Sequence, residues 1–234
     1  MQLYSIGVGK LSFNENMHNH ELQNILSGVI SEEPGNLIQT VSQKLSSGKE
    51  PDSAFEKDSL TKQQEEKVLI EFADTNQLWI NDIDEHSFLA EGAEQKVYLC
   101  ADGIHVYKLN DTIFYTSWAD YFFSLQLHNF FFPGTLYTLT GFAKKENVLY
   151  AVLQQPFIAF DSITDLEHVK LFLQHNGFEC VRNNDYYHPG YKIILEDLHD
   201  ENVLTSDNTL FFIDTVFYKK KENMASANSN AKKI

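Results

Sequence analysis

The chain has 234 residues, 43% of them hydrophobic and 13% aromatic, which is too apolar for disorder throughout and enough for one large domain or two small lobes. A formal net charge of −15 argues against a nucleic-acid binder, because neutralising a run of phosphates needs clustered Lys and Arg. It does not argue against a single nucleotide, where one Lys and a divalent cation can carry the positive charge. Two cysteines, Cys100 and Cys180, form no disulfide or zinc pattern, the opening residues lack the profile of a signal peptide, and no window has the length of a membrane span. Together these features predict a cytoplasmic protein with no membrane partner.

Residues 1–64 are polar, interrupted by "SEEPGN" and "SSGKEPDS", with helical spacing in "LIQTVSQKL" between them. They read as a partly helical N-terminal extension that offers a surface to a protein partner. "TKQQEEKVLIEFADTNQLWI" is a stronger amphipathic helix starting at Thr61, with Val68, Leu69, Phe72 and Ala73 on one side and Glu65 and Glu66 early, where the helix dipole favours them. From Phe88 the texture changes. "KVYLC" and "IHVYKLN" alternate around the turn signal "ADG", predicting a β-hairpin. "TSWADYFFSLQLHNFFF" has helical spacing, with Trp118, Tyr121, Phe122, Leu125 and Phe132 toward one side. "TLYTLTGFAKKENVLYAVLQQPFI" is a second hairpin turning at "KKEN".

"SITDLEHVKLFLQHNGF" is a capped helix, with Ser162 or Thr164 as N-cap, Glu167 three residues after Thr164, and Gly177 at its end. A strand pair turning at Pro189-Gly190 and one further strand, "LFFID", follow. The predicted class is therefore α+β, and the Lys-containing tail from 219 to 234 is expected to be solvated.

The stretch "DLHDENVLTSDNTLFFIDT" places Asp197, then Asn202 five residues on, then Asp214 twelve residues after that. Turn chemistry alone explains three such residues in a hairpin-sized segment. Upstream, "AEGAEQKVYL" carries Gly92 and Val97, and Lys108 follows Val97 by eleven residues in "HVYKLN". A Lys flanked by apolar residues in mid-strand is either an exposed face residue or a buried charge that wants a partner.

In this order and spacing the residues resemble the protein-kinase-like superfamily, most closely the minimal kinase domain found in polyvalent proteins of phages and mobile elements. The resemblance covers roughly residues 65–217. It implies a small two-lobed fold: an N-lobe over 65–158, with an antiparallel sheet and a preceding helix, and a reduced C-lobe over 159–218 carrying the catalytic loop. It further implies ATP and Mg²⁺ as nucleotide and metal, with Lys108 contacting the phosphates, Gly92 letting the backbone approach them, and Val97 beside them. Asn202 and Asp214 become metal ligands and Asp197 the base. "LYAVLQQPFI" is similar to the strand that leads into the interlobe linker, which puts Gln154, Gln155 and Phe157 at the adenine edge. Pro156 has no N–H, so Gln155 or Phe157 must be the donor.

The departures from the family pattern have consequences. Two of the three loop glycines are replaced, by Ala90 and Gln95. No acidic residue lies eighteen to twenty positions past Lys108, where the partner of that Lys is expected; Gln126 and His128 occupy the span. Leu195-Glu196-Asp197 stands for H-R-D, and Asp214-Thr215-Val216 for D-F-G. The phosphate acceptor stays open, with a Ser, Thr or Tyr of a protein among the candidates. A pseudokinase that binds a nucleotide or a partner is the alternative.

Overall fold

The structure is a computed structural model that describes residues 15–28, 36–47, 61–92 and 95–220; most of the expected basic tail lies outside these residues. Among these residues five α-helices and eleven strands follow in chain order. They are α1 (Glu15–Ser27), α2 (Leu37–Ser47), α3 (Lys62–Asn76), β1 (Phe88–Glu91), β2 (Gln95–Leu99), β3 (His105–Asn110), α4 (Trp118–Phe131), β4 (Thr138–Lys145), β5 (Val148–Pro156), α5 (Leu166–His175), β6 (Glu179–Arg182), β7 (Asp185–His188), β8 (Ile193–Glu196), β9 (Val203–Ser206), β10 (Thr209–Phe212) and β11 (Val216–Lys219). The α+β class expected from the sequence is what is found.

β1 to β5 form one antiparallel sheet in the order β1-β2-β3-β5-β4. The second hairpin closes through Glu146 and Asn147, both at positive φ, which is the backbone that a two-residue turn between twisted strands requires. One face of the sheet, through Leu139, Phe142, Leu149, Ala151 and Leu153, packs on α4, α2 and α3; the opposite face gathers Tyr98, Leu109, Ala143 and Val152 with Ile80 and Ile83.

Helix α3 begins where the sequence placed it. Thr61 and Gln64 form a reciprocal capping box, and Leu69 and Ala73 are buried. The helix does not run to Ile80, however. Gln77 adopts φ 56° and the chain turns to lie along β4, where the Phe142 N–H donates to Leu78 O and the Ile80 N–H to Phe142 O, both at 2.8 Å. The backbone groups of 78–80 are thus spent on covering a sheet edge rather than on another helical turn. Glu65, expected to serve the dipole of its own helix, is buried and accepts from the Trp118 N–H at 2.7 Å, so it caps α4 instead.

Helix α4 is buried on more than the one face its spacing suggested. Trp118, Tyr121, Phe122 and Leu125 join the core under the five-stranded sheet. Leu127 and Phe132 join a second core, built from Val169 and Leu173 of α5 and from Phe178, Tyr186, Ile193, Leu195, Leu198, Val203, Phe212 and Phe217. That second core lies against an antiparallel sheet ordered β11-β8-β7-β6 and a β9–β10 hairpin. The sequence reading did not include β1, β6, β9 or β11. The β5–β6 helix α5 is capped by Asp165, which accepts from the Glu167 N–H at 2.9 Å, whereas Thr164 donates to Val203 O.

The N-terminal helices pack on both cores. Leu22 of α1 is buried in the second core, and Ile38, Val41 and Leu45 of α2 in the first. Their apolar faces are covered by this chain.

Candidate functional site

Register places the first half of the site. Val97 of β2 lies opposite Lys108 of β3, which lies opposite Leu153 of β5, so the three side chains share one face of the sheet, the face toward α4. Gln95, two residues before Val97, shares it too. On that face Lys108 is 3% exposed, and burying its long stem is affordable because the ammonium is paired. Its Nζ donates to Asp214 Oδ2 at 3.1 Å and to Ile213 O at 2.9 Å. These residues are 106 and 105 positions away in sequence.

Asp214 is held from three sides. Besides Lys108, the buried Tyr137 phenol donates to Asp214 Oδ1 at 3.0 Å and to Ile213 O at 2.6 Å, and Gln95 Nε2 donates to Asp214 Oδ2. Burial, and next the Asp214 charge, raise the Tyr137 phenol well above its ordinary pKa, so it stays protonated and remains a donor. Lys108 Nζ also lies 5.4 Å from the centre of the Tyr137 ring.

The second half comes from the 195–216 segment. The β9–β10 hairpin pairs Val203 with Phe212, which brings the flanking residues Asn202 and Ile213 together; the Ile213 N–H donates to Asn202 O at 2.9 Å and the Asp214 N–H to the same oxygen at 3.4 Å. Twelve residues of sequence therefore collapse into one contact. Asn202 Nδ2 in turn donates to Asp197 O at 2.8 Å and Asp197 Oδ2 at 2.9 Å, and His199 Nε2 lies 3.4 Å from Asp197 Oδ1. Asp197 sits at φ 67°, a left-handed conformation that Asp tolerates better than most residues and that Asn202 pins in place.

Behind Asp214 lies a buried polar chain. Gln155 Nε2 donates to Thr135 O at 2.7 Å, and His128 Nε2 shares that carbonyl at 2.9 Å. A carbonyl can only accept, so Nε2 carries the ring proton; Nδ1 is then the acceptor for the Thr215 hydroxyl at 2.8 Å. Burial drives the His128 pKa down to about 4. The imidazole is thus neutral in the fold but titrates near 6.5 once unfolded, so its contribution is complete above pH 6.5 and is lost as pH falls toward 4. We expect stability to drop by roughly 3 kcal/mol across that window on account of His128. Thermal melts from pH 7.5 to 4.5 should show a steeper decline in the wild type than in His128→Gln.

Among the residues expected near adenine, Gln154 points to the other face of the sheet, its Nε2 lying 3.9 Å from Cys100 Sγ. The Gln155 side chain belongs to the polar chain behind Asp214. The Phe157 N–H donates to Ile104 O at 2.9 Å, which extends the sheet and leaves that donor committed. Gly92 has an unstrained backbone, and a Cβ there would meet nothing nearer than Gln95 O at 4.0 Å; what it leaves open is space. Of the two residues found where a helix carboxylate was expected, Gln126 turns away to donate to Ser42 Oγ of α2, whereas His128 faces the Asp214 segment. Sequence reasoning missed Tyr137 and gave Gln95 no role beyond replacing a glycine. The alternation in "TLYTLTGF" put Tyr137 next to a strand but carried no sign of what it would touch.

The donor set suits a hard divalent cation. A carboxylate has about four lone-pair positions, of which three on Asp214 are engaged, and Asn202 spends its NH₂ on Asp197, which leaves its amide oxygen for a cation. Among the described residues no group of three or more His, Cys, Asp or Glu side chains converges on a metal position, so further ligands there would be phosphate oxygens and water.

A five-stranded antiparallel sheet whose buried Lys meets an Asp at the end of an Asp–Asn–Asp segment defines a kinase-like α+β protein. The profile of one family, described as Serine/Threonine/Tyrosine Kinase found in polyvalent proteins, matches residues 62–221, more than half of the chain, and the chain belongs to that family. No curated protein and no solved structure matches it. Among the described residues no helix is long and apolar enough to cross a membrane.

Proposed function

We propose that this protein is an ATP- and Mg²⁺-dependent phosphotransferase with a small two-lobed architecture, in which the nucleotide lies between the five-stranded sheet and the 195–216 segment. The observation that carries this reading is the 3.1 Å approach of Lys108 Nζ to Asp214 Oδ2. An ammonium and a carboxylate brought together across more than a hundred residues fit a shared phosphate and cation. Lys108 binds phosphate oxygens, and Asn202 and Asp214 hold the cation. When bound, the cation offsets charge on the phosphates. Asp197 orients the acceptor hydroxyl and accepts its proton. Tyr137 and the His128–Thr215 pair hold the Asp214 segment in place, and Asp214 itself is the partner of Lys108 where the family pattern has a helix carboxylate.

The test is a thermal-shift titration with ATP, with and without Mg²⁺. A Mg²⁺-dependent rise in Tm is expected for the wild type. In Lys108→Met, where charge-assisted hydrogen bonds worth about 1.5–3 kcal/mol are lost, nucleotide affinity should fall about 10- to 100-fold. An absent shift under both conditions removes the nucleotide reading. One contact favours a second reading: Gln95 lies on Asp214 Oδ2 and must swing aside before that oxygen can take a cation. A nucleotide shift without phosphate transfer to any acceptor would make the protein a nucleotide-binding pseudokinase.

A further inference from the structure

Three donors meet on the Asp214 carboxylate, and they are not alike. Lys108 and Tyr137 are buried, and besides the carboxylate each also donates to Ile213 O, at 2.9 Å and 2.6 Å. Their hold on this segment therefore survives the loss of either bond to the carboxylate. Gln95 is half-buried, and the contact from its Nε2 to Asp214 Oδ2 is its only side-chain hydrogen bond among the described residues. A carboxylate only accepts, so the NH₂ end of the Gln95 amide must face it. Gln95 opens β2, 119 positions from Asp214, and replaces a glycine of the family pattern, which would have no side chain to make that reach.

Lone pairs decide what this contact does. A carboxylate oxygen has two acceptor positions, and on Oδ2 Lys108 and Gln95 take both. On Oδ1 the Tyr137 phenol takes one. Oδ2 is the oxygen on the Lys108 side, so a cation shared between Asp214 and a phosphate held by Lys108 has to use it. An N–H proton and a metal ion cannot occupy the same lone pair. Of the two donors on Oδ2, Gln95 gives way more readily, because its half-buried amide can turn to water while the Lys108 ammonium is enclosed.

We propose that Gln95 is an autoinhibitory latch: its amide closes Asp214 Oδ2 to a free divalent cation, and a nucleotide opens the latch by offering the same NH₂ a phosphate oxygen. The inference rests on the phosphotransferase reading, which supplies the nucleotide and makes Asp214 a cation ligand. A hydrogen bond to a charged group is strong enough to lower cation affinity about 10- to 100-fold. Cation and nucleotide then bind cooperatively, since whichever arrives first removes the same obstacle for the other.

The test uses Mn²⁺ as the probe, because the paramagnetic resonance signal of the free ion reports its binding to the full chain directly. Wild type and Gln95→Met, which keeps the side-chain length without the N–H groups, are titrated with and without a saturating non-hydrolysable ATP analogue. Without nucleotide, Gln95→Met is expected to bind Mn²⁺ about tenfold more tightly than the wild type. With the analogue the two should agree within about twofold, so the help that nucleotide gives to Mn²⁺ binding shrinks in the variant. Gln95→Gly, which relieves any crowding by Met, must show the same gain, and adding Asp214→Asn must abolish it. Equal Mn²⁺ affinity in the wild type and both variants without nucleotide overturns the latch and puts the cation on Oδ1; so does a gain that persists beside Asp214→Asn. The two readings fail separately. A gain in Gln95→Met with no analogue bound by either protein keeps the closure of Oδ2 and removes the phosphotransferase reading. Analogue binding with unchanged Mn²⁺ affinity keeps that reading and removes the latch.

Discussion

Asp197→Asn is expected to lower phosphate transfer by about 10²–10⁴-fold, the usual contribution of a positioned general base, while nucleotide affinity changes little. Asn is the informative replacement because of the backbone. Asp197 sits at φ 67°, where Asn is as comfortable as Asp, whereas Ala would add a conformational cost of about 1 kcal/mol and blur a catalytic loss with a structural one. Asn also keeps an oxygen for the hydrogen bond from Asn202 Nδ2, now 2.9 Å from Asp197 Oδ2, so the loop should hold its shape. It cannot take a proton. His199 is the competing base, since its Nε2 stands 3.4 Å from Asp197 Oδ1. The expected pattern, measured as ADP release and labelled product, is a large loss in Asp197→Asn and a modest one in His199→Gln. The reverse pattern would move the base to His199.

The parts of this site that sequence could reveal are those whose geometry is local. Asp197, Asn202 and Asp214 lie on a single β-hairpin and the loop before it, so their spacing encodes their proximity once the hairpin forms. Lys108 was legible as an awkward residue, an apolar-flanked charge in mid-strand, though its partner was not. Tyr137, Gln95 and His128 reach the Asp214 segment from three different elements, and nothing in a linear pattern aligns residues that are 77, 119 and 87 positions from their partners. The end of β5 shows the converse. Sequence correctly marks Pro156 as lacking a donor, yet whether the Phe157 N–H is available depends on how far β3 extends, and β3's continuation claims it through Ile104 O.

The same physics explains the errors in the fold. Each of β1, β6, β9 and β11 is four residues long, too short for alternation to stand out, and every residue of β1 and β6 is exposed. The turn between β6 and β7 did carry a signal, two consecutive Asn residues that both adopt positive φ. The N-terminal helices look like an exposed extension because most of their residues are polar, but burial of Leu22, Ile38, Val41 and Leu45 is enough to seat them. A few apolar residues on one stripe outweigh mean composition, since each buried aliphatic side chain contributes about 1.5–3 kcal/mol.

Gly141→Ala should be among the most destabilising single substitutions in this chain. An added Cβ at Gly141 would stand 2.2 Å from Leu78 O and 3.1 Å from Ile80 Cγ1, and the nearer atom is backbone that no side-chain rotation can move. To make room, 78–80 must retreat from β4, which gives up the hydrogen bonds from Phe142 N–H to Leu78 O and from Ile80 N–H to Phe142 O. Phe142 is fully buried in the same core as Leu139 and Leu153, so the disturbance passes into the sheet face that carries Lys108. The loss is expected to exceed about 4 kcal/mol, which in a domain of this size is a fall in Tm of roughly 8–16 °C. Gly134→Ala is the control, because a Cβ there meets nothing within 4 Å and should leave Tm nearly unchanged. If the two variants melt together, the segment after α3 is not packed on β4 as described, and the covered edge that fixes this half of the sheet must be built another way.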